Sequence, residues 1–333
     1  MLFAIIIAGS RDYRHQADVY SWINVLLNRG FKRENIYALS EDTLGDEIYH
    51  TCDGPNIYLE DAILEKPSKE KFIQLMEEIP KGKYSCLVIY VNHGAYNMVS
   101  TPNGIIYVDE FAEAIKRLAS KITQVTILIE ACYSGSFAKR SIYPRNVFIM
   151  TASSAKEPSY AYSWCPRLMQ YTSDEFTYHI LNYLDDPRNN AKTIQELVKI
   201  VKNLTTLSQV ISVGAFPNIQ VFGKGCSKSV LGNTTISDIR RIKNTLDPEY
   251  RYKIRRIRSW LLKNIGDDYG RSLQPKSKQT FSMMSYPEAF RVCYKNVTRA
   301  YFGHDNLEAV HEIGLLCLSY SIEHILQALE HNL

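Results

Sequence analysis

The chain has 333 residues, 45% of them apolar, and a formal net charge of +4. This length and apolar content can bury a sizeable core, which favours a large α/β domain plus a smaller one over a disordered or fibrous chain. The charge is mild and no long basic run is interleaved with aromatic residues, which argues against a nucleic-acid-binding protein.

In chain order, short apolar runs alternate with longer segments that have helical apolar spacing. Strands separated by helices predict a mostly parallel sheet covered on both faces, a three-layer α/β/α domain, here with six strands. The first run, in "MLFAIIIAGS", lacks the basic start of a signal peptide and is interpreted as a buried strand. The runs are residues 2–8, 36–39, 86–91, 125–129, 147–150 and 219–222, and helical spacing is clearest over 19–27 and 111–118.

The composition changes after residue 223. A polar stretch containing glycine and serine opens residues 225–245, which are predicted to form a linker. Residues 246–333 lack strand-like runs and contain helical apolar spacing, which predicts a small all-α domain. The predicted organisation is an α/β domain over residues 1–224, the linker, and this helical domain.

The seven cysteines are dispersed and odd in number, and no CxxC or Cys/His cluster occurs. This pattern predicts neither a zinc site nor a disulfide scaffold, and it leaves at least one free thiol.

Two of the predicted strands end in residues that can carry chemistry. Asn92-His93-Gly94 follows one, and Glu130-Ala131-Cys132 follows another. His93 and Cys132 would meet at one edge of a parallel sheet if the two strands are neighbours. The imidazole could then accept the thiol proton, and the N–H groups of Gly94 and Cys132 could stabilise an oxyanion. The residues alone leave two interpretations open: a Cys–His hydrolase, or a buried structural thiol and an ordinary His-Gly turn.

The strings "AGS", "YRHQAD", "NHG", "EACYSGS" and "EPSYAY", in this order within residues 1–224, resemble the legumains, a family of asparaginyl endopeptidases. The C-terminal part resembles the family more loosely, through "YPEAFRVC". The resemblance implies a caspase-like fold and a cysteine endopeptidase made as a zymogen, with no cofactor and no metal. It implies that Cys132 is the nucleophile, that His93 is the base and then the acid, and that the oxyanion donors are Gly94 and Cys132.

The resemblance also implies a pocket for the substrate asparagine. Arg14 would donate to the side-chain carbonyl, while Glu130 and Asp174 would accept from the amide nitrogen. A substrate aspartate would meet two carboxylates, so we expect it to be accepted only when protonated, at acidic pH. The alternative for these charged residues is a solvated surface or a structural ion pair. The implied pocket residues are Arg14, with His15 beside it, Glu130, Ser159 and Asp174.

Three departures from the family pattern change what can be expected. Asp12 replaces the usual asparagine that orients the catalytic histidine, and a carboxylate there would favour the imidazolium and extend activity toward neutral pH, unless Asp12 faces solvent. Asn92 replaces a frequent aspartate associated with ligase behaviour, so ligase activity is not carried over. The usual disulfides of the helical domain cannot form, which makes Cys293 and Cys317 expected free thiols.

The resemblance further implies that the helical domain is an inhibitory prodomain and that 225–245 is an activation peptide. Asn244 is the first candidate for autoprocessing, and Asn233 and Asn264 are its rivals. The implied partners are protein or peptide substrates, the chain's own prodomain and cystatin-type inhibitors. The implied location is lysosomal, vacuolar or secreted, whereas a true start at Met1 would make the protein cytoplasmic.

Three other activities remain as alternatives. A transpeptidase or ligase would form if an amine intercepted the thioester. A glycolipid-anchor transamidase shares the dyad but predicts a membrane-spanning segment or membrane partners, and no such segment appears in the sequence. A catalytically silent binding or inhibitory protein is disfavoured by the intact dyad and pocket.

Overall fold

The computed structural model describes residues 1–232 apart from 61, 63, 103, 166, 169, 190–192 and 226–227. The predicted helical domain, with Cys293 and Cys317, lies outside the described residues, as do Asn233, Asn244, Asn264 and most of the predicted linker.

Twelve strands and five α-helices follow one another in the described part of the chain. They are β1 (Leu2–Ala8), α1 (Tyr13–Asn28), β2 (Ile36–Leu39), β3 (Leu64–Glu65), α2 (Lys69–Glu78), β4 (Gly82–Val91), β5 (Gly94–Ala95), β6 (Met98–Thr101), β7 (Gly104–Tyr107), α3 (Val108–Lys121), β8 (Ile122–Glu130), β9 (Val147–Thr151), β10 (Ala161–Cys165), β11 (Gln170–Asp174), α4 (Glu175–Asp185), α5 (Ile194–Leu204) and β12 (Ile211–Gly214).

The main sheet has the strand order β12-β9-β8-β4-β1-β2-β3, and every neighbouring pair is parallel except β12 with β9. One face packs on α2 and α3, where Ile5 and Ile7 of β1 join the core that contains Phe72 and Phe111. The alternate residues of β1 are also buried and point to the opposite face, on which α1 packs with α4. These contacts confirm the three-layer α/β/α prediction, and burial on both faces explains the continuous apolar runs.

The sheet has seven strands rather than the predicted six, and one predicted strand is wrong. Residues Ile219–Phe222 form a 3₁₀ turn, in which the Asn218 side chain accepts from the Gln220 N–H. The preceding Pro217 has no N–H to donate to a sheet ladder, which disfavours a strand here. The edge strand on this side is β12, and the two-residue β3 is at the other edge.

A disulfide joins Cys52 to Cys165, which are 113 residues apart in sequence. The cysteine pattern did not predict this single bond, because spacing along the chain carries no information on such a distant pairing. Cys86 and Cys132 are the free cysteines of the described region. None of the described helices has the length and apolarity needed to cross a bilayer.

The order of the central strands decides what meets at their carboxyl edge. β4 lies between β1 and β8, with Val91 opposite both Ala8 and Glu130. The three strands therefore end at the same level. The residues that follow them, including those of the first turn of α1, come together at this edge.

Candidate active site

Cys132 lies in a sharp turn directly after β8. The next residue, Tyr133, has the left-handed backbone conformation with φ 57°, and its N–H donates to the Glu157 carbonyl at 2.9 Å. The turn continues as the 3₁₀ segment Ser134–Phe137, and a Cβ at Gly135 would lie 2.6 Å from the backbone nitrogen of Ala155. The left-handed conformation of Tyr133 costs free energy, because Tyr133 is not a glycine, so the surrounding contacts must stabilise the turn. These contacts hold Cys132 in one position.

His93 occupies the equivalent position two residues beyond the end of β4. The buried Asn92 side chain accepts from the His93 N–H at 2.7 Å and donates to the Ser100 carbonyl, which fixes the backbone that carries the histidine. The next residue is packed against the cysteine turn, since a Cβ at Gly94 would lie 2.6 Å from the Cys132 carbonyl oxygen. Only glycine allows this approach of the two turns.

A network of ion pairs extends from His93 into the first turn of α1. His93 Nε2 lies 3.1 Å from Asp12 Oδ2, and the same carboxylate oxygen lies 3.0 Å from Arg14 Nη1. Arg14 Nε donates to Asp174 Oδ1 at 2.9 Å, and the other Asp174 oxygen lies 3.3 Å from His15 Nε2. The structure thus places Asp12 between Arg14 and His93 and not in solvent.

Charge within this network sets the protonation of its members. Burial would raise the pKa of Asp12, but Arg14, followed by His93, outweighs it and holds that pKa well below its ordinary value. The pKa of Asp174 is also lowered, because Arg14 and His15 outweigh its burial. Burial and the Arg14 charge lower the pKa of His15. Two carboxylates therefore flank one guanidinium, beside a neutral imidazole.

Glu130 behaves differently from these two carboxylates. It is buried at the end of β8, and its Oε2 accepts from the N–H and the hydroxyl of Thr177 at 3.0 and 3.3 Å. Its Oε1 has no hydrogen-bond partner among the described residues. Burial and the nearby Asp174 charge raise the pKa of Glu130 well above its ordinary value, so folding favours the protonated form of this side chain.

Asp18 belongs to the same group of carboxyl side chains, and sequence reasoning missed it. It is fully buried, accepts from the Ser173 hydroxyl at 2.5 Å and from the Asp174 N–H at 3.3 Å, and so supports the end of β11. Burial and Asp174 raise its pKa. Its position four residues after Arg14 places it on the same helix face, which is the signal that could have found it.

The Cys132 thiol lies against the loop between β9 and β10. Its Sγ donates to the Ser159 carbonyl at 3.6 Å. Burial raises the pKa of Cys132, although contacts with Ser159 and the charge of Arg14 oppose the shift. The resting thiol is therefore protonated at neutral pH and needs a base to become a nucleophile. The structure brings every residue implied for the site to this one edge of the sheet.

Asp12, His15 and His93 also offer one possible metal-ligand atom each, all within 4.8 Å of one another. Two imidazoles and a carboxylate are a suitable donor set for a transition metal. However, the Arg14 guanidinium is paired with the Asp12 carboxylate, and its positive charge opposes a second cation there.

The chain is similar in sequence to known proteins. The sequence model of the peptidase C13 family matches residues 2–220. The chain is 28% identical over 244 residues to a hemoglobinase of Schistosoma japonicum, covering 64% of this chain and 56% of that protein. It is 28% identical over 272 residues to the vacuolar-processing enzyme beta-isozyme of Arabidopsis thaliana (68% and 54% covered), and 27% identical over 255 residues to the legumain of Canavalia ensiformis (64% and 53% covered).

The chain spans about half the length of the curated relatives it matches. Among solved structures, caspase-1 of Spodoptera frugiperda aligns with a TM-score of 0.43 and 14% identity, covering 68% of this chain and 90% of that chain.

Proposed function

The chain belongs to the peptidase C13 family, and from this premise we propose that it is a cysteine endopeptidase that cleaves peptide bonds after asparagine. The observation that carries the proposal is the pairing of β4 with β8, which sets His93-Gly94 directly against the turn of Cys132. The names of the relatives, which include legumains and a vacuolar-processing enzyme, favour this activity over the anchor-transamidase and silent-protein alternatives.

In the proposed reaction, His93 takes the proton of the Cys132 thiol and the sulfur attacks the peptide carbonyl carbon. The Nδ1 atom is the ring nitrogen assigned to this transfer, because Nε2 lies beside Asp12. The N–H groups of Gly94 and Cys132 hold the oxyanion. The C–N bond then breaks, the leaving amine takes the proton from His93, and a thioester remains. Water, deprotonated by His93, hydrolyses the thioester and regenerates the thiol.

The proposed pocket for the asparagine side chain is formed by Arg14, Asp174, Glu130 and Ser159, with His15 behind them. Arg14 and Asp174 are held by each other and present donors and acceptors in fixed positions. A polar pocket of this kind discriminates strongly, because the wrong side chain leaves buried partners unpaired. A substrate aspartate must carry a proton to lie beside the ionised Asp174, so its cleavage is proposed only for acidic pH.

We also propose the family's regulation for this chain. The helical domain over 246–333 would act as the intramolecular inhibitor, released by autoprocessing after Asn244, and cystatin-type proteins would inhibit the mature enzyme. A lysosomal or vacuolar location is proposed because one relative is a vacuolar-processing enzyme. A transpeptidase or ligase side reaction would arise if an amine replaced water at the thioester.

A panel of reporter peptides tests the proposed specificity. After a first incubation of the full chain at about pH 5, which allows the proposed autoprocessing, Ala-Ala-Asn, Ala-Ala-Asp and Ala-Ala-Gln reporters would be offered at about pH 5 and about pH 7. Cleavage of the Asn reporter is expected at both values, and cleavage of the Asp reporter only at the lower one. Equal cleavage of the Asn and Gln reporters would reject the proposed pocket. No cleavage of any reporter, with intact protein shown by mass spectrometry before and after incubation, would favour the silent-protein alternative.

A further inference from the structure

We propose that Arg14 couples the asparagine pocket to the catalytic histidine through Asp12, so that a seated asparagine speeds acylation in addition to strengthening binding. The inference rests on the proposed function and deepens it, because it assigns a positioning role to Asp12 and a second role to Arg14. It follows from how two ion pairs share one carboxylate oxygen.

Arg14 is the physical link between the two halves of the site. Its Nε is 2.9 Å from Asp174, on the pocket side, and its Nη1 is 3.0 Å from Asp12, on the histidine side. The Asp12 oxygen that receives Arg14 is the same Oδ2 that lies 3.1 Å from His93 Nε2. Arg14 and His93 therefore share one carboxylate oxygen, and a change in the contact of one of them alters the negative charge available to the other.

The two ends of this link differ in rigidity. Asp174 is held from behind by Asp18, which accepts from its N–H, and from the side by His15, and only 4% of its side chain is exposed. The Asp12 side chain is 24% exposed and makes no capping hydrogen bond to its own helix. When the Arg14 guanidinium moves to contact a ligand, its ion pair with Asp12 lengthens and its ion pair with Asp174 is kept.

A substrate asparagine in the pocket would cause this movement of the Arg14 guanidinium. Its side-chain carbonyl accepts from the guanidinium, whose donors lie in one rigid plane, so a new acceptor redirects the N–H groups already in use. The Asp12 carboxylate is then left to His93 and stabilises the imidazolium, the form that pairs with the thiolate and protonates the leaving amine.

The other groups that face His93 do not cancel this effect. The His15 ring meets the His93 ring edge to face at a centroid distance of 5.0 Å, but burial and Arg14 keep His15 neutral by lowering its pKa. Asp174 is ionised and attracts a positive charge on His93. Asp12 is the group in direct ion-pair contact, so it is the one through which the pocket acts.

Asp12→Asn is the matched variant, because it keeps the size of the side chain and removes its charge. Single-turnover acylation of Ala-Ala-Asn and Ala-Ala-Ala reporters would be measured with the autoprocessed enzyme in excess. The dissociation constant of each peptide would be measured for Cys132→Ala protein that the native enzyme has first cleaved after Asn244. The native chain is expected to prefer Asn in both affinity and acylation rate. Asp12→Asn is expected to lower the rate preference about tenfold, within the usual coupling range of about 5–150-fold, and to leave the affinity preference intact.

Asp42→Asn is the control, since it removes a carboxylate that contacts the Tyr20 hydroxyl and none of the site residues. A second readout is the ring NMR shift of His93 in Cys132→Ala, which should change on adding the Asn peptide and not the Ala peptide, and should not change in Cys132→Ala carrying Asp12→Asn. Loss of acylation by one equal factor for both reporters, or an unresponsive His93 signal with the Asn peptide bound, would overturn the coupling alone. No preference for Asn in binding would overturn the proposed function with it.

Discussion

At the scale of single residues, the carboxyl groups of Asp12, Asp174 and Glu130 lie close together but hold their protons differently. Arg14 contacts the first two and lowers their pKa values below the ordinary range. Glu130 has no cationic partner described, and burial beside Asp174 raises its pKa. Arg14 therefore favours the ionised form of Asp12 and Asp174, whereas burial favours the protonated form of Glu130, although the sequence presents all three as acidic residues.

Glu130→Gln tests this assignment through stability. The folded-state pKa of Glu130 is raised above its unfolded value, so its contribution to stability is fully present below about 4.3 and is lost as pH rises through the folded pKa. Glutamine cannot ionise, so the variant should melt at least about 2 °C above the native chain near pH 8. The gap should close toward acidic pH. A melting curve series across pH measures it, and a gap that does not depend on pH would show that Glu130 is ionised in the fold.

Asp12→Asn tests the ion pair with His93 through the pH profile of kcat/KM. The variant lacks the carboxylate that lies 3.1 Å from His93 Nε2, so the profile should move along the pH axis. Asp42→Asn should leave the profile in place. An unmoved profile in Asp12→Asn would contradict a role for this carboxylate in the action of His93.

At the scale of secondary-structure elements, the disulfide fastens the loop after β2 to the end of β10, beside the hairpin that ends in Asp174. Disulfides typically stabilise a fold by about 2–4 kcal/mol, and this one closes a segment of 113 residues. Replacing Cys52 and Cys165 together by serine should lower Tm by about 5–10 °C. Calorimetry with and without reductant checks this: reductant should lower the Tm of the native chain and leave the double variant unchanged. A Tm of the native chain that does not change with reductant would contradict the Cys52–Cys165 disulfide.

His50 connects the same loop to helices α1 and α4. Its ring contacts the Ser21 hydroxyl at 3.1 Å and the Asn182 amide at 3.3 Å and stacks on Tyr178, and burial lowers its pKa to about 3. Because the unfolded value is about 6.5, the unfolded chain takes up a proton first, and stability is lost as pH falls from about 6.5 toward 3.

His50→Gln should therefore be less stable than the native chain at pH 7, having lost the stacked ring, but should lose less stability on acidification. Urea unfolding at about pH 7 and about pH 4.5 measures the two slopes. An equal loss of unfolding free energy in both proteins would show that another group causes the loss of stability at acidic pH.

The sequence predicted the central strands because β1, β2, β4, β8 and β9 are buried on both faces and read as apolar runs. It missed the β10–β11 hairpin, whose "AYSWC" and "QYTSD" are half-polar, and it placed the last strand at 219–222 instead of at β12. An edge strand is specified by one neighbour, β9, and by a turn, so its own sequence carries a weaker signal.

The site, like the fold, has contacts that the sequence predicts and contacts that it does not. The meeting of His93 with Cys132 could be predicted from strand ends alone, because parallel strands fix where their successors lie. The pairing of Asp12 with both Arg14 and His93, and the support that Asp18 gives Asp174, depend on side-chain directions within one helical turn and on a distant hairpin. Those contacts depend on tertiary packing, which a local sequence pattern does not predict.

At the scale of the whole molecule, the residues of the site come from five separated segments and meet at one edge of the sheet. The connection from β1 to α1 supplies Asp12 and Arg14, and β4 and β8 supply His93 and Cys132. The hairpin and the loop before it add Asp174 and Ser159. The sheet therefore supports the proposed catalytic pair, and the hairpin supplies one residue of the proposed pocket, Asp174.

The most direct measurement of the central claim compares the full chain with Cys132→Ala on the Ala-Ala-Asn reporter at about pH 5. Cys86→Ala is the matched control, because it removes the other free thiol described, one that is buried in the core. The account predicts cleavage after Asn by the native chain and by Cys86→Ala, and a fall to the uncatalysed rate in Cys132→Ala. Equal cleavage by all three proteins would contradict the assignment of Cys132 as the nucleophile.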